Sequence, residues 1–248
     1  MIRKSRLKAS GSNDALFAGA CLVAILVWGV ASSVRAQTVG PAGPGIAWNV
    51  AVGSDYVFRG VSQTEEDAAI LGGVDLTSGT FYAGAWAANV AFPGDPDTNA
   101  EIDLYGGFRP EFAGANWDFG VVGYFYTGQP NGADYDYVEV KGAVSRAFGP
   151  ATLGAAVYYS PDFFGAAEDE ATYVEANAAF SPADKWTVSG AVGRQFLSSD
   201  FDYTTWNLGA AYQLTDHLAL DLRYHDTDEH GFGPIYGSRA VASLKAVF

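Results

Sequence analysis

Residues 239–248 read Arg-Ala-Val-Ala-Ser-Leu-Lys-Ala-Val-Phe, and this stretch decides the fold. In an extended chain, successive side chains point to opposite faces. One face of this segment is therefore apolar and ends at Phe248, whereas the other carries Arg239, Ser243 and Lys245. An apolar exterior opposite a charged interior is typical of a strand that separates lipid from water in a transmembrane β-barrel.

The first 36 residues have the layout of a secretory signal. Basic residues cluster before position 9, residues 15–31 form an apolar run, and Val34-Arg35-Ala36 precedes the expected cleavage before Gln37. The run is shorter than the roughly 20 residues that a spanning helix needs. We therefore predict a signal peptide at residues 1–36, a short periplasmic lead-in at 37–45 and an outer-membrane β-barrel at 46–248.

Charge and cysteine content narrow the class of protein. The 248-residue chain has 14 Lys and Arg against 28 Asp and Glu, and the part after the predicted signal has 9 against 27. That part carries a net charge of −18 and no cysteine. So acidic a surface excludes nucleic acid as a natural partner, because phosphate binding needs basic side chains. No stretch after residue 36 is apolar enough for a membrane helix, so a membrane-spanning chain of this composition would form a barrel.

The predicted barrel region divides into segments of about ten residues, the length that a tilted strand needs to cross a bilayer. We predict an all-β, antiparallel, up-and-down transmembrane barrel of about 12 strands. The first strand is expected over residues 46–59, with Tyr56 and Phe58 facing outward. Another is expected over residues 81–92, with Tyr82 and Trp86 facing outward.

Long connections alternate with tight turns along the predicted strands, as in outer-membrane barrels. The longer ones are residues 64–67, 93–99, 128–134, 162–170, 198–202 and 226–234, and the shorter ones are 78–79, 113–116, 148–150, 181–184 and 214–216. A soluble sandwich or lipocalin-like barrel with reversed faces is the alternative. Aromatic residues at both strand ends favour the membrane, because they resemble interfacial girdles. They are Trp48, Tyr82, Trp117, Phe180, Trp186 and Phe248 at the periplasmic end, and Phe58, Phe92, Phe125, Tyr159 and Tyr224 at the outer end.

Four blocks of the sequence resemble the TorF family of porins. The longest is Ser54-Asp55-Tyr56-Val57-Phe58-Arg59-Gly60-Val61-Ser62-Gln63-Thr64. The others are residues 101–107, 159–165 and 224–228, so the resemblance spans nearly the whole predicted barrel. It implies a bacterial outer-membrane protein of porin type. It supplies no substrate and no catalytic residues.

Ten ionisable residues are predicted to line the pore: Asp55, Arg59, Glu101, Asp103, Glu139, Lys141, Glu175, Asp221, Arg223 and Arg239. Acids and bases that face each other across a narrow lumen select solutes by size and charge. Arg59 and Arg239 are expected on the first and last strands, which are neighbours in a closed barrel. The same residues could instead form ion pairs that fill a plugged, non-conducting barrel.

The expected function follows from the lumen and the loops. Acidic residues concentrate in the outer loops, which predicts a preference for cations. The sequence has no Gly-x-Ser-x-Gly or His-Glu-x-x-His motif, and its three histidines lack a clear metal-ligand spacing. We therefore predict a porin-like channel for passive diffusion of small hydrophilic solutes or ions, with no reaction, cofactor or metal. A structural or adhesion barrel and an outer-membrane hydrolase are the alternatives.

The expected location is the bacterial outer membrane. The expected partners are outer-membrane lipid and lipopolysaccharide, together with the barrel-assembly machinery, which would recognise the C-terminal strand ending in Phe248. The sequence gives no indication of the oligomeric state.

Overall fold

The structure is a computed structural model that describes residues 44–165, 170–197 and 200–248. Within these ranges, twelve long antiparallel strands form a single closed barrel. The predicted signal peptide and most of the predicted lead-in lie outside the described residues. The strands are β1 (Gly45–Gly53), β2 (Ala69–Ser78), β3 (Phe81–Asn89), β4 (Ala100–Phe108), β5 (Ala115–Thr127), β6 (Tyr137–Phe148), β7 (Ala151–Ser160), β8 (Ala171–Ala183), β9 (Trp186–Phe196), β10 (Tyr203–Gln213), β11 (Leu218–Thr227) and β12 (Arg239–Val247).

Each strand pairs with its neighbours in sequence, and the barrel closes where β12 pairs with β1. The closing register runs from Asn49 opposite Val247 to Gly53 opposite Ser243. Backbone hydrogen bonds between Trp48 and Phe248 extend this seam, with N···O distances of 2.9 and 3.0 Å. The predicted up-and-down barrel of about 12 strands is therefore confirmed.

The distribution of side chains is the reverse of that in a soluble β-barrel. On the outer face, Ile46, Leu208 and Leu222 are each about 60% exposed, whereas the inward-facing Asp103 and Glu139 are 0% and 1% exposed. Alternation along each strand produces this separation, because successive side chains point to opposite sides of the wall. The outer surface is therefore an apolar band, and the charged residues lie within the barrel.

The two ends of the barrel differ in their connections, as the sequence predicts. Tight turns join β2 to β3, β6 to β7 and β8 to β9 at one end, which we call the periplasmic end. Longer connections lie at the opposite end, which we call the outer end. The last of these contains two short 3₁₀ turns, His230–Phe232 and Pro234–Tyr236. In the part of the chain that the structure describes, no helix is long and apolar enough to cross a membrane.

The predicted first strand is wrong in its second half. β1 ends at Gly53, and the chain then turns into the lumen, so Tyr56 is fully buried and Phe58 packs inside the barrel. There the carboxylate of Asp55 accepts hydrogen bonds from Ser62 and Thr64, which reach it because the chain turns back on itself.

The predicted assignment of the inward and outward faces of β3, which we call its frame, is also wrong. Tyr82 and Trp86 face the lumen and are 7% and 4% exposed, whereas Phe81 faces outward and is 67% exposed. A shift of one residue in a strand exchanges its two faces completely. The inward frame gives the Tyr82 hydroxyl a carboxylate partner, Asp118, at 2.7 Å, and it leaves alanines on the outer face.

The remaining interfacial aromatics are found on the exterior at both ends. Trp48, Phe180, Trp186 and Phe248 are 46–68% exposed near the periplasmic end. Phe125, Tyr159 and Tyr224 are 38–44% exposed near the outer end. The other three predicted girdle residues are not on the exterior. Tyr82 and Phe58 lie in the lumen, and Phe92 packs in a cluster of outer-loop aromatic residues.

Candidate functional site in the barrel lumen

Residues 54–64 form a hairpin that enters the lumen from the outer end, and we call this segment the inner hairpin. Its two short strands, Val57–Phe58 and Val61–Ser62, pair antiparallel around Arg59 and Gly60. Both turn residues have positive φ, 48° and 86°, which is the sign pattern of a type I′ hairpin turn. The inner hairpin therefore places the Arg59 side chain at its tip.

The base of the inner hairpin is held by Asp55. Its Oδ1 accepts hydrogen bonds from Ser62 Oγ at 2.7 Å and Thr64 Oγ1 at 2.8 Å, and its Oδ2 accepts one from Arg239 Nη1 at 3.2 Å. Arg239 lies at the start of β12, so this contact ties the hairpin base to the barrel wall. Buried charges of this kind stabilise a conformation only when their partners remain in place.

The tip of the inner hairpin reaches the opposite wall. Arg59 donates from Nη1 and Nη2 to the two carboxylate oxygens of Glu139 on β6, at 2.8 and 2.7 Å, and from Nη1 to Gln195 Oε1 on β9, at 3.0 Å. Its guanidinium also lies over the rings of Tyr158 and Tyr173, 4.9 and 4.4 Å from their centroids. The Arg59 and Glu139 side chains are only 5% and 1% exposed, so this ion pair is buried.

The inner hairpin also packs on the near side of the lumen. Tyr56 makes an edge contact with Trp86 on β3 at 5.3 Å between centroids, and its hydroxyl donates to Glu101 Oε1 on β4 at 3.0 Å. Phe58 makes an edge contact with Tyr124 on β5. With Arg59 against the far wall, the hairpin crosses the full width of the lumen near its outer end.

A cluster of aromatic residues covers the lumen next to the inner hairpin. Tyr135 and Phe164, from two different outer loops, stack with 4.4 Å between centroids and 6° between planes. Phe92 packs on both of them and on Tyr126, with centroid separations of 5.3–5.7 Å. Phe163 adds a contact to Tyr137 at 4.7 Å. Hairpin and cluster together fill the outer part of the lumen beside β3–β6.

Two acids on β4 lie against this packed region. Glu101 and Asp103 are 2% and 0% exposed. Tyr56 donates to Glu101, and the carboxyl group of Asp103 is hydrogen-bonded to that of Glu101. The two acids therefore form a buried carboxyl pair beside the inner hairpin.

A second buried charge pair lies closer to the periplasmic end. Asp118 on β5 accepts from Lys141 Nζ on β6 at 2.6 Å, from Arg109 Nε at 3.0 Å and from the Tyr82 hydroxyl. All of these residues belong to the wall strands or to a tight turn. Beyond this layer, Gly154 on β7 lies opposite the inward-facing, exposed Asn177 on β8.

The structure places all ten predicted residues within the barrel, but not all where the sequence suggests. Asp55 and Arg59 lie on the inner hairpin, and the others lie on the inner faces of β4, β6, β8, β11 and β12. Arg59 pairs with Glu139, Asp55 with Arg239, Arg223 with Asp221, and Lys141 with Asp118. Glu175 accepts from Tyr173. The expected placement of Arg59 on the first strand is wrong, because Arg59 lies at the tip of the inner hairpin and reaches Glu139 on the other side of the lumen.

Sequence reasoning missed the wall residues that surround Arg59. Tyr158, Tyr173 and Gln195 carry no family motif and read as ordinary inward positions of three different strands. One signal could have revealed the inner hairpin, namely Arg59-Gly60 in the middle of an apparent strand, because glycine there marks a turn or bulge. Strand pairing then brings the three wall residues together: Tyr158 lies opposite Tyr173, and Tyr173 opposite Gln195.

The side chain of His230 at the outer end belongs to a hydrogen-bonded loop. His230 Nε2 contacts Asp226 Oδ1 at 2.7 Å, and the Tyr224 hydroxyl donates to the same carboxylate. Within the described ranges, no group of three or more His, Cys, Asp or Glu is placed to hold a metal ion. The arrangement is that of a hydrogen-bonded loop.

Solved porin structures share this fold. The KdgM porin superimposes with a TM-score of 0.56 at 7% identity, covering 83% of this chain and 99% of its own. A structure of KdgM in complex with disordered oligogalacturonate gives 0.55 at 6% identity, covering 83% and 99%. The NanC porin gives 0.53 at 11% identity, covering 81% and 97%. At such low identities the likeness establishes the fold alone.

Comparison by sequence gives a family without an assigned activity. No curated protein matches the sequence. A family described as "Bacterial protein of unknown function (Gcw_chp)" matches residues 38–246, which include all twelve strands except the last residue of β12. The chain, a closed twelve-stranded barrel with a charged lumen, therefore belongs to the Gcw_chp family of bacterial proteins.

Proposed function

We propose that this protein is a porin-like channel of the bacterial outer membrane through which small hydrophilic solutes or ions diffuse passively. The observation that carries the proposal is the closed barrel with an apolar exterior and charged residues such as Arg59, Lys141 and Arg223 buried in its lumen. Soluble proteins rarely expose so large a continuous apolar surface to water. The likeness of the fold to KdgM and NanC supports the same function.

The inner hairpin forms the constriction of the proposed channel. It crosses the lumen near the outer end, and no other segment of the described residues crosses the lumen. Passage therefore depends on the position of the hairpin and the loops above it. The channel performs no reaction and needs no cofactor.

We extend the proposal to a preference for cations. The buried pair of Glu101 and Asp103 lies beside the hairpin, and outer-loop acids including Glu65, Glu66 and Asp67 lie at the mouth. Carboxylates at a mouth concentrate cations and repel anions, and salt weakens the effect. An anionic oligosaccharide such as the oligogalacturonate in the KdgM complex would be repelled by these residues.

We also propose a porin family for this protein and its contacts in the outer membrane. The blocks at residues 54–64, 101–107, 159–165 and 224–228 support membership of the TorF family of porins. The apolar exterior supports contact with outer-membrane lipid and lipopolysaccharide. The alternation that ends at Phe248 supports recognition by the barrel-assembly machinery.

Reconstitution in a planar lipid bilayer tests the channel. The full chain should give single-channel steps, and a potassium chloride gradient should give a reversal potential with the sign of cation preference. Protein that is folded, as judged by heat-modifiable migration on a gel, but shows no steps in either salt polarity would contradict the channel. A reversal potential near zero or of the opposite sign would contradict the cation preference alone.

A non-conducting structural barrel is the second candidate, because the inner hairpin and the aromatic cluster fill the outer lumen. The two candidates differ in what happens when the hairpin is shortened. A channel conducts in both forms and conducts more in the shortened form, whereas a structural barrel conducts only after shortening.

A further inference from the structure

The wall around Arg59 contains a set of side chains suited to a guanidinium group, independently of the inner hairpin. Four residues on four consecutive strands form it, and we call them the guanidinium pocket: Glu139 on β6, Tyr158 on β7, Tyr173 on β8 and Gln195 on β9. Their positions follow from the wall, because Tyr158 pairs with Tyr173 and Tyr173 with Gln195 across adjacent strands.

The contacts in the pocket match the shape of a guanidinium. The planar fork of N–H groups in a guanidinium fits a carboxylate through two parallel hydrogen bonds. Here Arg59 donates to both Glu139 oxygens, at 2.8 and 2.7 Å. Its flat faces attract aromatic rings, and two tyrosines lie within 5 Å of its carbon. Gln195 Oε1 accepts a third hydrogen bond at 3.0 Å. An ammonium is a compact charge with three rotatable donors, so it has neither the parallel fork nor the flat faces that this pocket contacts.

The pocket is held in this arrangement by the wall. The Tyr124 hydroxyl donates to Glu139 Oε2 at 3.1 Å, and the Tyr173 hydroxyl donates to Glu175 Oε2 at 3.0 Å. Gln195 is 1% exposed and its Nε2 has no hydrogen-bond partner among the described residues. Arg59 therefore leaves one buried polar group of the pocket unsatisfied, and a ligand with an acceptor beside its guanidinium would satisfy it.

The group that now fills the pocket belongs to a loop. Arg59 reaches it from the tip of the inner hairpin, whose base is fixed to the wall by Asp55 and Arg239. A tethered side chain competes with free ligands through its high effective concentration. The pocket is thus occupied by a side chain that does not belong to the wall strands.

We propose that the guanidinium pocket is a solute-binding site of the lumen, and that Arg59 occupies it as a tethered substitute for small solutes that carry a guanidinium group. When the inner hairpin withdraws, such a solute binds Glu139, Gln195 and the two tyrosines in place of Arg59. The choice of solute rests on the proposed channel, because the pocket is reached only through the lumen.

Binding to the Arg59→Ala protein in detergent micelles tests the site without any current measurement. Ligand-observed NMR with methylguanidinium should show binding to Arg59→Ala, with an affinity at least tenfold higher than to the unmodified chain. Methylammonium should bind at least tenfold more weakly than methylguanidinium. The double variant Arg59→Ala/Glu139→Gln should lose binding, whereas the control Arg59→Ala/Asp75→Asn, which removes one acid elsewhere in the lumen, should retain it.

Three results would overturn the proposal. The first is that methylguanidinium does not bind Arg59→Ala. The second is that it binds the unmodified chain as tightly as Arg59→Ala, and the third is that it binds Arg59→Ala/Glu139→Gln as tightly as Arg59→Ala. Binding that follows the expected pattern in a protein without channel steps would retain the site and reject the channel, so the two failures are distinguishable.

A refolding measurement keeps the proposal testable if Arg59→Ala folds poorly. A ligand that binds only the folded state raises the folded fraction. Methylguanidinium at millimolar concentration should therefore increase the heat-modifiable fraction of Arg59→Ala, and methylammonium should not. An equal effect of both ions, or of neither, would contradict a guanidinium pocket.

Discussion

The outer and lower parts of the lumen each contain a buried cation–carboxylate pair, but the two pairs are built differently. In the outer pair, Arg59 comes from the inner hairpin and Glu139 from the wall. In the lower pair, Lys141 and Asp118 lie on adjacent wall strands. Breaking the lower pair therefore weakens the wall itself, whereas breaking the outer pair releases a loop into the lumen mouth. The lower ion pair therefore stabilises the barrel wall, whereas the outer ion pair holds the constricting hairpin in place.

Removal of the inner hairpin is expected to have the largest effect. Replacing residues 56–63 with a short Gly-Ser linker removes the only segment that crosses the lumen in the described part of the chain. Single-channel conductance should increase severalfold, because the remaining lumen is that of a twelve-stranded wall, wider than one filled by its own side chains. Planar-bilayer recording measures it. Unchanged conductance would show that the hairpin does not form the constriction.

Glu139→Gln should release the hairpin tip. Removing one partner of a buried ion pair costs about 3–5 kcal/mol, and the withdrawal of Arg59 to solvent relieves part of that cost. Trypsin added to intact cells should then cleave after Arg59, which is 5% exposed in the closed arrangement. A fragment ending at Arg59 identifies the release by mass spectrometry. Equal resistance of Glu139→Gln and the unmodified protein would contradict it.

Asp118→Asn is the matched change in the lower pair. It weakens charge-assisted hydrogen bonds from Lys141, Arg109 and Tyr82, and we expect a loss of about 2 kcal/mol in the free energy of unfolding. The urea midpoint for loss of the heat-modifiable form should fall. Cleavage after Arg59 should stay at the unmodified level, and a rise comparable to that of Glu139→Gln would mean that the two pairs are not separate.

Gly60→Ala should loosen the hairpin tip to a smaller extent. Gly60 has φ of 86°, and an added Cβ would collide with the Thr205 side chain on β10. A residue other than glycine costs about 1–2 kcal/mol in this backbone region. We expect slow tryptic cleavage after Arg59, between the rates of the unmodified chain and of Glu139→Gln. Gly132→Ala, a loop glycine with φ of 81° and open space around it, is the control for backbone strain alone.

The smallest effect is expected at Asp95, on an outer loop away from both pairs. The Thr98 hydroxyl donates to Asp95 Oδ2 at 2.6 Å, and this hydrogen bond lowers the pKa of the carboxyl below its ordinary value of 3.8. A lowered pKa in the folded state contributes stability above pH 4 that is lost as the pH falls through the folded-state pKa. The unmodified chain should lose slightly more thermal stability between pH 5 and pH 3 than Asp95→Asn does. An equal loss would show that the hydrogen bond has no energetic effect.

Much of the wall could be predicted from the sequence because an apolar outer face and a polar inner face produce alternation along most of the strands. Segments such as residues 101–108 and 239–248 alternate without ambiguity, and their frames are correct. The frame of β3 was missed because both of its faces carry apolar residues, Tyr82 and Trp86 on one and Phe81 with alanines on the other. Alternation between apolar and polar residues gives no information where both faces are apolar.

The inner hairpin could not be predicted by the same reasoning. Residues 54–58 continue the alternation of β1. A prediction that uses only this local alternation therefore extends the strand past Gly53. What turns the chain inward is a set of distant contacts, from Asp55 to Arg239 and from Arg59 to Glu139, which are 184 and 80 positions apart. The charged residues of the site were identified from sequence, but their partners depend on how the barrel closes.

The pairing of β1 with β12 also has a consequence for how the barrel is assembled. Every other pair of neighbouring wall strands joins segments that follow each other along the chain, so each can form as a local hairpin. The seam instead joins residues such as Ser54 and Ala242, which are 188 positions apart, and closing so long a loop costs the most chain entropy. Until the seam forms, β1 and β12 are two open edges of a sheet, prone to pair with other chains. Weakening the Trp48–Phe248 bonds should therefore slow the last step of folding and favour aggregation, with little effect on the hairpins that precede it.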